Sequence, residues 1–199
     1  MRVAVLVSGG GSNLQALIEA RAAGAMPHAR LVLMLSSKPG ALALKRAEQA
    51  GIPAKVVSRA QFAQQPDFDA ALLEELRRHR IDVVVLAGFL CVLGPTLLRE
   101  YSDCILNIHP SLIPSFCGKG FYGLRVHEAA LARGVCVSGA TVHLVNEVVD
   151  GGRILAQKAV PVQKDDTPET LQRRVMEQAE WILLPQALED YCAALLEKV

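Results

Sequence analysis

Short apolar runs alternate with stretches of helical spacing from the first residues onward. Residues 2–7 form a continuous apolar run behind Arg2, as a strand covered on both faces requires. Ser8 to Asn13 is a turn, and Leu14, Leu17 and Ile18 then recur at helical spacing. Leu31 to Leu35 predicts a second buried strand, Ala41 to Ala50 a helix ended by Gly51, and Ile52 to Val57 a short third strand. Asp67 to His79 predicts a helix with Phe68, Leu72 and Leu76 on one face, acidic residues in its first turn and basic ones in its last. Val83 to Leu86 and Ile105 to Ile108 predict two more strands.

The second half is less regular. Residues 109–124 carry two prolines and three glycines, and a loop this long in a compact domain is usually functional or disordered. Val126 to Ala132 predicts a short helix, Thr141 to Val145 and Ile154 to Val162 predict strands, and Thr167-Pro168 opens a last helix running to about Cys192. The alternation implies an α/β fold: one doubly wound, mostly parallel sheet with helices on both faces, forming a single domain over residues 1–199.

Composition narrows the function. Formal charge is +1, which argues against a broad basic face for nucleic acid. The longest apolar stretch, Val83 to Leu93, is interrupted by Gly88 and falls short of the about 20 residues of a spanning helix; no secretory leader is evident. The five cysteines are odd in number and lack metal-type spacing, so free thiols in a reducing cytoplasm and no bound metal are expected. Cys117, in a loop, is the one candidate for reactivity, and inertness is the plainer reading there.

Two constellations carry chemistry. Strand, glycine turn, helix at residues 8–14 is an arrangement that gathers backbone N–H groups on an anion. The dinucleotide fingerprint fails, because Leu14 stands at its third glycine and no acidic residue follows the second strand. The turn is therefore either a monophosphate site or a plain tight turn. At the end of a predicted strand, Asn107 and His109 fall on one side, where an amide and an imidazole can polarise a carbonyl and move a proton. Asp150 precedes two glycines and reads as a hairpin turn or as the group that orients His109. His143 reads as a hydrogen-bonded structural residue, and His28, His79 and His127 as surface or helix-end groups. The zincin and nucleophile-elbow motifs are absent.

Four segments in this order, residues 7–15 around the Ser-Gly-Gly-Gly-Ser-Asn turn, 86–90, 106–114 (Asn-Ile-His-Pro-Ser-Leu at its centre) and 149–152, closely resemble the folate-dependent formyltransferase family, within it the branch acting on glycinamide ribonucleotide in purine biosynthesis. The resemblance spans essentially the whole chain and implies a Rossmann-like formyltransferase fold. It implies that Gly11, Ser12 and Asn13 hold the ribonucleotide phosphate and that Glu180 contacts the glycinamide. It further implies that Leu90, Cys91, Val92 and Leu93 line the folate pocket, that Asn107, His109 and Asp150 form the catalytic trio, and that the loop Asn146, Glu147, Val148, Val149 and Asp150 closes on the pterin. The implied formyl donor is 10-formyltetrahydrofolate, attacked directly by the amine, and the implied mechanism has protonated His109 and the Asn107 amide stabilising the oxyanion with no metal involved. Asp150 favours the imidazolium and can organise a water that relays the proton.

The chain departs from the family at Trp181 after Glu180, with one extra residue just before the pair, and at Arg153, Cys117 and Gln65. The implied partners are small molecules only, with neither nucleic acid nor membrane, and the chain as a monomer or homodimer. A 199-residue chain lacks the C-terminal extension of the methionyl-tRNA branch and the N-terminal regulatory domain of the formyltetrahydrofolate hydrolases. The rivals are a hydrolase-like enzyme and a catalytically silent nucleotide-binding module.

Overall fold

The computed structural model describes residues 1–197. Seven strands form one sheet in the order β3-β2-β1-β4-β5-β6-β7. They are β1 Arg2–Val7, β2 Arg30–Ser36, β3 Ala54–Val56, β4 Val83–Leu86, β5 Ile105–His109, β6 Val137–Leu144 and β7 Ile154–Pro161. The first five pair in parallel, and β6 then runs antiparallel to both β5 and β7. The expected mostly parallel sheet is thus present, with an antiparallel extension where the sequence pattern became irregular.

Strand alternation divides the core in two. Val3, Val5 and Val7 face one side with Leu14 and Leu17 of α1 (Ser12–Ala22) and Ala43 and Ala47 of α2 (Leu42–Gln49). Ala4 and Leu6 face the other side with Phe68, Leu72 and Leu76 of α3 (Gln65–Arg78) and Leu97 of α4 (Pro95–Glu100). The first face continues through α5 (Leu124–Arg133), α6 (Pro168–Val175) and α7 (Trp181–Leu196), which cover the antiparallel strands. Over β1, β2 and β4 both faces are therefore sealed, and this is why these strands read as unbroken apolar runs.

One helix was not foreseen and two expectations are corrected. Helix α4 carried no periodic signal, because six residues span less than two turns. Strand β6 begins at Val137, earlier than Thr141, through Ser138, Gly139 and Ala140. Gly139 is there for close approach, since a Cβ on it would lie 2.2 Å from the Lys158 carbonyl oxygen. The last helix is two helices joined by a π-turn at Met176–Glu180. Its start is as expected: Pro168 is at the first helical position and the Thr167 hydroxyl accepts from the Thr170 N–H.

The strand order reverses between β1 and β4, with β2 and β3 on one side and β5 on the other. In an open parallel sheet the loops beyond the strand C-termini separate at this point and leave a crevice.

Candidate active site

A cleft of about 720 Å³ opens at that crevice. Its walls come from the turn after β1, the loop after β4, the end of β5, residues 118–123, the 145–150 loop and the Met176–Glu180 turn.

The glycine turn reaches the cleft through Asn13, while Gly11 is packed behind it. Gly11 has φ +72°, and a Cβ there would lie 2.7 Å from the Ala43 Cβ, so glycine is required on both counts. The Asn13 side chain is committed elsewhere: its amide donates to Glu180 Oε2 at 2.5 Å. One amide hydrogen is thereby used, and the turn also offers an anion the backbone N–H groups at the start of α1 and the Ser12 hydroxyl. Glu180 is buried on the cleft wall, and burial pushes its carboxyl above the usual range against the Asn13 bond, which lowers it. A π-turn absorbs one residue more than an α-turn. The one at Met176–Glu180 leaves the Glu180 side chain facing Asn13.

The loop after β4 is held from below. The Ser8 hydroxyl accepts from the Leu90 N–H at 2.8 Å and pairs with the Ser37 hydroxyl at 2.6 Å. Buried Asp69 accepts from the Gly94 N–H at 3.1 Å and from Gln65 at 2.8 Å, and Gln65 also donates to the Val92 carbonyl. Leu90, Cys91, Val92 and Leu93 all line the cleft, and Leu90 and Val92 leave more than half of their surface exposed there. The Leu90 N–H is already used by Ser8, which removes it as a reader of a bound ring.

Asn107, His109 and Asp150 come together at the centre. Asn107 and His109 project from β5, and β6 runs opposite, pairing Asn107 with His143 and His109 with Thr141. His109 Nδ1 lies 3.6 Å from Asp150 Oδ2, and Asp150 Oδ1 lies 3.6 Å from His143 Nε2. The Gly118 N–H donates to Asp150 Oδ2 at 2.8 Å. Gly152 sits under this loop where a Cβ would lie 1.8 Å from the Leu144 carbonyl oxygen, which fixes the hairpin against β6.

His143 is the residue whose role the sequence understated. It is buried and hydrogen-bonded as expected, but its Nδ1–H donates to the Leu144 carbonyl at 2.8 Å, leaving Nε2 to accept from the Asn107 amide at 3.0 Å. It therefore orients Asn107. The β5–β6 register that brings them together is not written in either strand alone.

His127 is also corrected. It is fully buried in the cleft wall, and neither ring nitrogen has a partner. Burial, reinforced by nearby His109, lowers its pKa to about 4.

The charge state of His109 differs in direction from the expectation. Burial lowers its pKa below 6.5, and although the Phe116 carbonyl and Asp150 pull it upward, burial outweighs them. The ring rests neutral at neutral pH, with Nε2–H donating to the Phe116 carbonyl at 2.9 Å and Nδ1 facing Asp150. Asp150 lies below the ordinary carboxyl range: burial raises its pKa, but the N–H that Gly118 donates to Oδ2 favours the charged form. Burial and Asp150 both raise the Cys117 thiol, in line with an inert cysteine.

Of the 145–150 loop, Asn146, Glu147, Val149 and Asp150 line the cleft, whereas Val148 points to solvent.

Over residues 1–188 the chain matches the formyl transferase family. It is a formyl transferase family member. It is 47% identical over 188 residues to the trifunctional purine biosynthetic protein adenosine-3 of Drosophila melanogaster, an alignment covering 94% of this chain and 14% of that protein. The crystal structure of glycinamide ribonucleotide transformylase 1 from Symbiobacterium toebii superposes with a TM-score of 0.91 at 39% identity, over 98% of this chain and 88% of the other. That of phosphoribosylglycinamide formyltransferase from Brucella melitensis gives 0.87 at 44% identity, over 96% and 95%. Among the described residues of this formyl transferase, no helix is long and apolar enough to cross a membrane.

Proposed function

We propose that the chain transfers the formyl group of 10-formyltetrahydrofolate to the amine of 5′-phosphoribosylglycinamide, a step of purine biosynthesis. One observation carries this reading: Asn107, His109 and Asp150 converge in a cleft bounded by a backbone-donor turn on one side and an apolar loop on the other. The turn suits a monophosphate, and exposed Leu90 and Val92 suit the flat rings of a folate. Glu180, held by Asn13, stands where it can accept a hydrogen bond from the glycinamide. The free cysteines fit a reducing cytoplasm.

The amine nitrogen forms a bond to the formyl carbon, the bond from that carbon to N10 breaks, and one proton passes from the amine to N10. Asn107 keeps one amide hydrogen on His143 and has the other for the formyl oxygen as charge develops on it. His109 must exchange its Phe116 bond for substrate before Nε2–H can do the same. A proton taken up at Nδ1 gains Asp150 as its counter-charge, so the imidazolium becomes accessible only beside that carboxylate. Holding both substrates in one crevice supplies much of the remaining rate enhancement.

The test is kinetic. Purified protein given both substrates is expected to consume them one-for-one. Folate turnover without the amine would favour a hydrolase, and ribonucleotide binding without turnover would favour a silent module.

A further inference from the structure

The glycine turn is held in place from behind by one side chain that lies outside the cleft. We propose that Arg46, on α2, is a positioning residue for the phosphate-binding turn, which it presets without touching the ligand. The inference rests on the reading of that turn as the phosphate site.

Two carbonyls on the back of the turn are taken up by α2. The Ala43 N–H donates to the Gly9 carbonyl at 3.2 Å, and Arg46 Nε donates to the Gly10 carbonyl at 3.0 Å. In a trans peptide the N–H points opposite to the C=O of the same unit. Fixing these carbonyls toward α2 therefore turns the Gly10 and Gly11 N–H groups to the opposite side, next to the open start of α1. The missing Gly11 side chain lets the backbone press against Ala43 closely enough for both bonds to form.

The guanidinium is itself fixed. Its Nη1 donates to Gln15 Oε1 at 3.0 Å, and Gln15 Nε2 donates to Glu19 Oε1 at 2.9 Å. One rigid plane thus ties the turn to α1, the helix whose N-terminus faces the anion. A lysine ammonium cannot reproduce this two-point geometry, although it keeps the positive charge. An unanchored glycine turn would have to be ordered by the ligand, and that ordering weakens binding while leaving the chemical step alone.

Steady-state kinetics on Arg46→Ala, Arg46→Lys and Gln15→Leu test this, with inorganic phosphate as a competitor of the ribonucleotide. Arg46→Ala is expected to raise the ribonucleotide KM and the phosphate Ki together by about tenfold, as loss of a hydrogen bond from a charged group predicts. Both kcat and the formyl-folate KM should stay within about twofold, since turnover is set at the other end of the cleft. Arg46→Lys should fall between wild type and Arg46→Ala, and Gln15→Leu should move the same two constants by less. Unchanged ribonucleotide KM and phosphate Ki in folded Arg46→Ala overturn the proposal. So does an equal rise in the folate KM, which marks a general loosening. If Arg46→Ala does not fold, the lysine and Gln15 variants decide by the same criteria. The phosphate reading fails separately if wild type is not competitively inhibited by phosphate.

Discussion

The two ends of the cleft are built from different materials. The N-terminal end, residues 8–13 and 88–94, presents main-chain groups held from behind: the Arg46 side chain and the Ala43 N–H behind the glycine turn, the Ser8 and Asp69 side chains behind the Leu90 loop. The C-terminal end presents side chains with shifted ionisation, His109, His127 and Asp150, and Glu180, also shifted, meets Asn13 of the glycine turn. Backbone donors have fixed charge and fixed direction, which suits recognition of a group that does not change. Proton transfer needs groups whose charge can change, and these must come from side chains placed in a partly dry environment.

If that division is real, substitutions at the two ends should fail in different constants. The largest effect is expected for His109→Ala, a loss of about 1,000-fold in kcat with little change in ribonucleotide KM; comparable losses in both constants would erase the distinction. Asp150→Asn should lower kcat by about 100-fold. It should also move the His109 limb of the pH–rate profile to lower pH, because Asp150 is one of the groups that raise the His109 pKa. A limb that stays in place would remove Asp150 as its partner.

Gly11→Ala probes the other end. A Cβ 2.7 Å from Ala43 at φ +72° should raise the ribonucleotide KM about tenfold and cost about 1–2 kcal/mol of stability, with kcat retained. Kinetics and a urea midpoint measure the two effects separately.

His127 gives a smaller, pH-dependent effect. Its folded pKa of about 4 lies below the ordinary 6.5, so between these values the unfolded chain holds a proton that the folded chain refuses. Its contribution to stability therefore falls as pH drops from 6.5 to about 4, by roughly 3 kcal/mol at most. Glu180 acts with the opposite sign, because its raised pKa favours the folded state below 4.5 and loses that contribution as pH rises. The difference in urea midpoint between His127→Leu and wild type isolates the histidine: it should grow in favour of the variant as pH falls. At pH 7 the variant should be near neutral, since it removes two unpartnered buried nitrogens. The smallest effect is expected at Cys117, whose raised thiol should react with iodoacetamide more slowly than a free cysteine at neutral pH.

Legibility in the sequence followed the length and purity of each pattern. Strands β1, β2 and β4 were legible because both of their faces are covered, so their interior positions, 3–7, 31–35 and 83–86, are all apolar. Helix α3 was legible because its buried side repeats over three turns. Helix α4 was too short to repeat, and the start of β6 was hidden by Gly139, which looks like a breaker and serves as a contact point. In the site, strand alternation put Asn107 and His109 on one side, and their place at a strand end marked them as candidates. His143 and His127 were not legible: one gains its role from a partner strand 36 residues away, the other from full burial in the cleft wall.

The sequence by itself determined the element types, the alternation that gives a two-sided sheet, and the position of the glycine turn and of Asn107 and His109 at strand ends. Those follow from local geometry, which residue order dictates directly. Only the tertiary structure decided that Asn13 serves Glu180, that His143 serves Asn107, and that burial outweighs Asp150 at His109. Each of those depends on distances between segments remote in the chain and on how much water is excluded between them, and residue order fixes neither until the sheet has closed around the cleft.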